Sequence, residues 1–376
     1  MRVGIVCFNQ NHYEYVVSLC TWFAEASKSI FVLTNPRLAE SVGSLIRELP
    51  AQVIASGPGA SESAFIFSHS ALLDSLDQVI FDEFFDLKDN WRLLGLKLHR
   101  DRVWLTVHSA NIWFFPSRVG SLSGLVKTTI RTLLRHKFSR FVVFLDAIKT
   151  HIESSSNERW RIIVLPFSLP DPSADGPKRE GKIRLVTPGI VETSRRNYDR
   201  ILNVIARFHP AECPIELTLL GRAKDSEGER VLKRCAELAN LGYGITTFDR
   251  FVPAGDFARI MHESDFIFSD IPAELIRDNT VEIYGKTKDT GVTYLMTKYG
   301  LPAMLPSHFA TATELMSAVL PFSDEESLYQ LLRKLAQDRT PELRRRVLQG
   351  SGQYIHRLHE SFRVNFGPTG PVLVDA

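Results

Sequence analysis

The apolar positions of the first half of the chain fall into short continuous runs separated by stretches with helical spacing. Residues 3–8 and 30–34 are two such runs, rich in Val and Ile, and each is followed by polar residues. Runs at 52–55, 78–81, 102–107, 140–145 and 161–165 repeat the pattern, with helical spacing at 15–26, 37–49 and 125–135. Short apolar runs with polar ends are typical of strands buried on both faces. Their alternation with helices predicts a parallel sheet covered by helices.

A second series of the same kind follows a break in the pattern. Residues 166–182 contain four prolines and two glycines, which is typical of a linker. Apolar runs at 183–187, 215–220, 245–248, 266–268 and 302–305 then alternate with helical patterns, and helices at 325–337, 342–348 and 353–366 end the chain. The predicted fold is α/β, with two Rossmann-like domains and a cleft between them. Ligands of such folds bind outside the carboxyl ends of the strands.

The predicted boundaries follow from these two series. We predict an N-terminal domain over 1–166, a linker over 167–182, a C-terminal domain over 183–352, and a last helix and tail over 353–376. A chain of 376 residues suits two domains of ordinary size.

Composition and charge narrow the class of protein. The net charge is +2, so no general attraction to nucleic acid is expected. The four cysteines form no C-x-x-C pair, which favours buried reduced thiols over a zinc site or a disulfide framework. No apolar run has the length of a signal peptide or of a membrane span. These features predict a cytoplasmic location.

Several common nucleotide motifs are missing. The loop after the first strand, residues 9–12, has no glycine, so the dinucleotide fingerprint G-x-G-x-x-G is absent. Residues 176–182 come close to a phosphate-binding loop, but Ile183 stands where that motif needs Ser or Thr. No Asp-x-Asp metal motif occurs. We therefore expect neither a bound metal nor a cofactor.

The order of motifs over about 180–310 resembles the nucleotide-sugar-binding domain of GT-B glycosyltransferases, especially family 4. The matching pieces are 183–189 with the basic Arg195 and Arg196, the strand 217–220 closed by Gly221, the stretch 248–253 with Arg250, Glu282 to Gly285, and Gly300-Leu301-Pro302. The resemblance implies a nucleotide-diphosphate sugar as the donor substrate. It also implies that the acceptor binds to the first domain and that the last helix crosses back to that domain.

The resemblance assigns donor contacts to the second half. The donor-binding residues are predicted to be Arg195, Arg196, Gly221, Arg250, Gly285, Lys286, Lys288, Thr290 and Gly291. Cationic side chains and the amides of a helix N-terminus stabilise the departing diphosphate, which removes the need for a metal. Glu282 would hold hydroxyls of the donor sugar or steady the loop. Thr290 stands where the family has a second acid, which leaves the donor and the activity open.

Polar residues at strand ends of the first half supply the remaining candidates. His108 and Asp82 are predicted to be catalytic together with Glu282 of the second half, and Asn11, His12, Glu83 and Trp113 are predicted to bind the acceptor. His108 could bind sugar hydroxyls or move a proton, or be a hydrogen-bonded structural histidine. Asp82 and Glu83 could provide a general base or cap the following segment. The aromatic residues 113–115 could face the acceptor or be buried packing.

The predicted function is transfer of a sugar to a glycan, a lipid-linked sugar or another hydroxyl acceptor, as in polysaccharide biosynthesis. Two alternatives stay open: a nucleotide-sugar epimerase of the same fold, and a catalytically inactive GT-B scaffold. The basic stretch 127–140 has apolar residues at helical spacing. It is either a solvated helix face or a peripheral contact with the inner face of a membrane.

Overall fold

The computed structural model describes residues 1–27, 29–83, 91–115, 122–172, 181–277, 279–337 and 341–367. The chain divides into two compact units. The first unit comprises Met1–Leu169, Ile276–Asp289 and Ile355–Ala376, and the second comprises Pro170–Leu275 and Thr290–Tyr354. Much of the predicted linker, at 173–180, and the end of the predicted tail, at 368–376, lie outside the described residues.

The first unit contains a parallel sheet of seven strands with helices between them. The strands are β1 (Arg2–Val6), β2 (Ser29–Thr34), β3 (Ala51–Ala55), β4 (Gln78–Phe81), β5 (Val103–Thr106), β6 (Arg140–Val143) and β7 (Arg161–Val164). The helices are α1 (Tyr13–Ala26), α2 (Pro36–Gly43), α3 (Glu62–Ser68), α4 (Ser70–Asp74), α5 (Ala110–Phe114), α6 (Leu122–Phe138) and α7 (Asp146–Ser155). The strand order is β3-β2-β1-β4-β5-β6-β7. The order therefore reverses between β1 and β4.

The second unit contains a parallel sheet of six strands. The strands after β7 are β8 (Ile183–Pro188), β9 (Ile215–Leu220), β10 (Gly244–Thr246), β11 (Phe266–Phe268), β12 (Glu274–Arg277), β13 (Thr280–Ile283), β14 (Ala303–Pro306) and β15 (Val319–Phe322). The helices are α8 (Asp199–Ala206), α9 (Ser226–Asn240), α10 (Ala254–Glu263), α11 (Gly291–Tyr299), α12 (Glu325–Gln337) and α13 (Pro341–Phe366). Six strands form the order β10-β9-β8-β11-β14-β15, while β12 and β13 form a separate two-stranded sheet. The second sheet reverses its order between β8 and β11.

Local sequence explains why these elements begin where they do. Asn35 precedes α2, and its side chain accepts a hydrogen bond from the amide of Leu38 at 2.9 Å. Pro36 takes the first helical position, where its missing N–H costs nothing. Asp225 caps α9 in the same way through the amide of Gly228 at 3.0 Å. The central strands of both sheets are buried along nearly their whole length, as the apolar runs predict.

The end of the chain differs from the sequence prediction. The sequence predicts separate helices at 342–348 and 353–366, but α13 runs without a break over both. Gly350 is there for close packing, since a Cβ at this position would overlap the carbonyl group of Glu314. In the first unit, the ring of Phe362 lies 4.9 Å from that of Phe23, and the ring of Phe366 lies 5.2 Å from Trp104.

None of the described helices combines the length and the apolar character needed to cross a bilayer. The helix α6, which contains most of the predicted basic stretch, is half-exposed along one side, with Leu125, Val126 and Leu133 each about half-exposed. Arg135 and Lys137 turn inward instead, and their side chains donate to backbone carbonyls of Trp113 and Leu96 at 3.0 and 2.5 Å. Part of the basic stretch therefore has a structural purpose.

Candidate active site

Four polar side chains are brought together at the carboxyl ends of strands in the first unit. His12 follows β1, Asp82 follows β4 and His108 follows β5, while Asp289 ends the segment that begins at Ile276. Their residues are 9%, 5%, 8% and 6% exposed. The cluster lies beside the point where the strand order reverses, which is where ligands bind in open parallel sheets.

Asp82 is the hub of this cluster. One carboxylate oxygen, Oδ2, lies 2.6 Å from His12 Nδ1 and accepts a hydrogen bond from the thiol of Cys7 at 3.2 Å. The other oxygen, Oδ1, is buried without a hydrogen-bond partner. Burial opposes the charge of Asp82, but the adjacent imidazoles of His12 and His108 outweigh it, so the pKa of Asp82 lies far below its usual range.

The orientation of His12 follows from Asn9. The backbone amide of Asn11 donates to Asn9 Oδ1 at 3.1 Å, which fixes the side-chain amide of Asn9. The nitrogen of that amide then lies 2.8 Å from His12 Nε2 and donates to it. A neutral His12 therefore carries its proton on Nδ1 and donates it to Asp82.

His108 lies between two carboxylates. Its Nδ1 is 3.0 Å from Asp289 Oδ2, and its Nε2 is 3.6 Å from Asp82 Oδ1. The Nε2 atom is buried and has no hydrogen-bond partner. Burial disfavours the imidazolium, but the charge and hydrogen bond of Asp289 and the neighbouring Asp82 prevail and raise the pKa of His108 to about 10. His108 is thus an imidazolium at neutral pH, suited to donating hydrogen bonds.

Glu282 lies in the first unit and is fully buried. Its carboxylate accepts hydrogen bonds from the amides of Asn111 at 3.3 Å and Ile112 at 2.8 Å, and from the hydroxyl of Thr287 at 2.6 Å. The amide of Ala110 donates to the carbonyl of Thr287 at 2.7 Å. Glu282 therefore satisfies the free amides at the start of α5. These contacts fit the loop-steadying role and leave no oxygen for hydroxyls of a sugar.

Trp113 requires a correction. The sequence predicted an acceptor contact, but Trp113 is 1% exposed, so its ring cannot stack on a bound sugar. Its indole N–H donates to Glu83 Oε1 at 2.8 Å. The other oxygen of Glu83 is buried without a partner. Trp113 therefore packs in the interior and orients Glu83.

A cavity of about 470 Å³ opens in the first unit at these strand ends. Asp82 and Glu83 line it, together with Glu62, Phe8 and the loop 9–11. The predicted acceptor residues Asn11 and Glu83 and the predicted catalytic Asp82 thus share one wall. Amides and carboxylates beside an apolar ring form a lining suited to a ligand rich in hydroxyl groups.

One group of side chains in this cluster could in principle reach a metal ion. Single ligand atoms of Cys7, His12 and Asp82 lie within 4.8 Å of one another. Burial and the neighbouring carboxylate of Asp82 raise the pKa of Cys7 well above its usual value, which keeps it a thiol. Asn9 also directs the proton of His12 to Nδ1, the atom nearest Asp82. These atoms are therefore arranged as a hydrogen-bonded network.

The second unit carries its own group of predicted residues at strand ends. Gly189 and Gly221 follow β8 and β9, and a Cβ on Gly221 would lie 2.6 Å from the carbonyl carbon of Gly189. Only a glycine allows the two loops to approach this closely. The guanidinium of Arg196 lies beside Gly189, and its Nε donates to Ser269 Oγ at 3.1 Å. Backbone groups and a cation thus meet where the strand order of this sheet reverses.

The remaining predicted donor residues are divided between the two units. Gly285, Lys286 and Lys288 belong to the first unit, where the ammonium group of Lys288 is buried and donates to Ser109 at 3.1 Å. Lys286 is exposed. Thr290 and Gly291 begin α11 in the second unit, and Thr290 makes no side-chain cap to that helix.

Arg195 and Arg250 are both exposed in the second unit. The guanidinium of Arg195 lies 3.8 Å from Glu192. Glu192 is also 2.5 Å from the ammonium group of Lys224, a cation that the sequence analysis did not consider. Cys7 and Asn9 were missed as well, although their position directly after β1 was a usable signal. Nothing local in the sequence indicated that Asp289 would contact His108.

Comparison with known proteins adds the following findings. No protein-family model matches the sequence, and no curated protein matches it. HepE of Anabaena, solved with UDP and glucose, superposes with a TM-score of 0.62 at 10% identity, over 96% of this chain and 98% of HepE. An α,α-trehalose-phosphate synthase (UDP-forming) of Burkholderia vietnamiensis gives 0.58 at 12% identity, over 97% and 99%. The N-terminal domain of trehalose-6-phosphate phosphatase of Candida albicans gives 0.60 at 10%, over 97% and 96%.

Identities of 10–12% show the fold alone, and membership of family 4 stays a prediction. Each superposition covers nearly the full length of this chain and of the matched protein. This chain therefore has the fold of the GT-B glycosyltransferases, the architecture to which its C-terminal motifs are similar.

Proposed function

We propose that the protein transfers a sugar from a nucleotide-diphosphate donor to a hydroxyl of an acceptor bound in the first unit. The observation that carries the proposal is Asp82, a buried carboxylate that lines a polar cavity and has one oxygen without a hydrogen bond within the protein. Its position at the reversal of strand order is the usual ligand position in this type of sheet. The fold, shared with proteins solved with UDP and sugars, supports the same reaction class.

Asp82 accepts a hydrogen bond from the acceptor hydroxyl and orients it for transfer. The acceptor oxygen forms a bond to the anomeric carbon, and the bond from that carbon to the diphosphate breaks. The diphosphate leaves with the electron pair, and its oxygen takes up the proton that the acceptor hydroxyl loses, because the low pKa of Asp82 makes it a poor proton acceptor. His12 and Cys7 donate to the other oxygen of Asp82, so the carboxylate is held in one orientation before the acceptor arrives.

The lining of the cavity suggests the kind of acceptor. Glu62, Asp82 and Glu83 all contribute carboxyl groups to it. An anionic group in this cavity would be repelled by these carboxylates. The bound end of the acceptor is therefore a neutral polyol or sugar, such as the end of a glycan, and not a sugar phosphate.

The donor binds to the second unit. Arg196 and the close backbone approach at Gly189 and Gly221 offer a cation and exposed peptide groups for a diphosphate. The start of α11 at Thr290 and Gly291 adds helix amides, since Thr290 does not cap them with its side chain. These groups offset the diphosphate charge, so transfer proceeds without a metal ion. The neighbours solved with UDP make a UDP-linked sugar the first donor to test.

The test is release of UDP from a set of UDP-sugars, with neutral glycans as acceptors and mass spectrometry of the product. Asp82→Asn should lower kcat by about 10²-fold, because the acceptor hydroxyl loses the charged group that orients it. The matched control is Asp77→Asn, at the opposite end of the same strand, where the carboxylate accepts from the amide of Arg2. Wild-type activity in Asp82→Asn would refute the assignment.

The same experiment separates the two alternatives. An epimerase would convert the donor to its epimer without any acceptor, and mass spectrometry after chromatography would show the isomer. A scaffold would bind nucleotide without turnover of any donor. In the transferase, donor is consumed only when acceptor is present, apart from slow hydrolysis.

A peripheral membrane contact is a further part of the proposal. The exposed Leu125, Val126 and Leu133 lie on α6 together with Lys127 and Arg131. Apolar and basic side chains on one helix favour the surface of an anionic bilayer. Sedimentation with anionic vesicles should decrease in a Leu125→Ser, Val126→Ser variant, and neutral vesicles serve as the control.

A further inference from the structure

We propose that Asp289 is a positioning residue that acts on Asp82 through His108. It fixes the ring of His108 so that Nε2 is directed at the unpaired oxygen of Asp82. This proposal rests on the proposed function, because Asp82 is the residue assigned there to the acceptor hydroxyl. It gives a role to an acid in the segment where the family resemblance implied only donor contacts.

The position of Asp289 is fixed by contacts that do not involve its own side chain. The docked loop, defined as residues 284–289, lies in the first unit beside the residues that follow His108. Ser109 and Lys288 pair as an isolated antiparallel bridge, and Lys288 Nζ also donates to Ser109 Oγ at 3.1 Å. Residues adjacent in sequence to Asp289 and to His108 are thus held together. This pairing places the carboxylate 3.0 Å from His108 Nδ1.

Four ionisable groups face His108 from the elements packed around it. Asp289 lies on the docked loop, Asp82 and Glu83 follow β4, and His12 follows β1, with its ring centroid 4.5 Å from that of His108. Only Asp289 contacts Nδ1 at hydrogen-bond distance among the described contacts. With Nδ1 bonded to Asp289, the proton on Nε2 is directed at Asp82 Oδ1, 3.6 Å away.

The consequence for the reaction is electrostatic. A charged His108 directed at Oδ1 keeps Asp82 ionised and limits the repulsion between the clustered carboxylates. Replacing Asp289 by Asn removes the nearest anion, so His108 loses its proton at lower pH. The loss of kcat/KM in Asp289→Asn should therefore grow as the pH rises. Loss of Asp82 itself should reduce activity at every pH.

The experiment combines two readouts. NMR titration of histidine side chains, with His108 assigned from the His108→Gln spectrum, gives its pKa in wild type and in Asp289→Asn. The pKa should fall by at least about one pH unit, the usual effect of losing an adjacent opposite charge. The alkaline limb of the pH profile of kcat/KM should move to lower pH by the same amount. Asp289→Glu should restore both in part.

The matched control is Asp146→Asn, which removes an acid of the same unit that pairs with Arg357 at 2.7 Å. An unchanged titration of His108 in Asp289→Asn would overturn the proposal, as would an activity loss that is equal at all pH values. A shifted titration in a protein that transfers no sugar would refute the proposed function, while the link between Asp289 and His108 would stand. Circular dichroism of each variant shows whether it folds.

Discussion

Replacing Glu282 by Ala should loosen the start of α5 and with it the segment that carries His108. The carboxylate is fully buried and accepts from the amides of Asn111 and Ile112 and from the hydroxyl of Thr287. Its sequence separation from the two amides is about 170 residues, so the contact ties a distant segment to the first sheet. Removing it leaves two backbone donors without partners.

The magnitude follows from those two amides. Each buried donor that loses its partner costs about 1–3 kcal/mol, which sums to about 2–6 kcal/mol. The substitution also removes a buried carboxylate, which reduces this cost. Burial disfavours the charge of Glu282 and raises its pKa, although its hydrogen bonds act in the opposite direction. We expect a net loss of about 2–4 kcal/mol for Glu282→Ala. Glu282→Gln keeps the shape and one oxygen, so about 1–2 kcal/mol is expected.

Hydrogen exchange of the peptide that contains Ala110–Phe114 measures this change locally. A loss of 2 kcal/mol in opening free energy corresponds to about 30-fold faster exchange. The matched control is Glu274→Ala, an exposed acid of β12, where exchange of this peptide should stay as in wild type. The cap assignment is wrong if Glu282→Ala leaves the exchange of these amides unchanged.

Two further predictions concern stability against pH and the glycine contact of the second unit. His108, with its pKa raised to about 10, stabilises the fold fully below its unfolded pKa of about 6.5, and this contribution is lost as the pH rises through 10. Asp82, with a lowered pKa, stabilises above about pH 3.9 and loses this contribution as the pH falls. Unfolding by urea can be followed by the fluorescence of the five tryptophans, all of which lie in the first unit. The free energy of unfolding should therefore decrease at both low and high pH. In His108→Gln, its decrease at high pH should be smaller. Gly221→Ala should abolish UDP binding in calorimetry because its Cβ would overlap Gly189, whereas Gly255→Ala, with open space around it, should bind UDP normally.

Much of the fold could be predicted from the sequence because each buried strand is a local feature. The runs that became β1, β4 and β5 are apolar along their whole length, and each is followed by polar residues. Parallel strands place those polar residues at one edge of the sheet. For this reason the sequence alone predicts that His12, Asp82 and His108 lie near one another.

The contacts of the docked loop and of the nearby Glu282 could not be predicted in the same way. Glu282, Lys288 and Asp289 lie in the C-terminal half of the sequence, and the resemblance placed their surroundings at the donor. Their partners are Ile112, Ser109 and His108, far away along the chain. A backbone pairing between two short irregular segments has no periodicity in the sequence. Only the structure could show that these side chains belong to the first unit.

Trp113 shows the limit of composition as a guide. An aromatic residue near a predicted site can stack on a sugar or fill the interior, and both uses favour the same residue type. The backbone decides between them, because α5 begins directly after His108 and Ser109 and is held at its start by Glu282. That geometry turns the indole inward to Glu83.

The boundary between the two units falls directly after Asp289. The residue that holds His108 is therefore bonded to Thr290, the N-cap residue of α11, the helix to which we assign the donor diphosphate. In our proposal, Asp289 acts on the acceptor side, whereas its neighbour Thr290 belongs to the donor side.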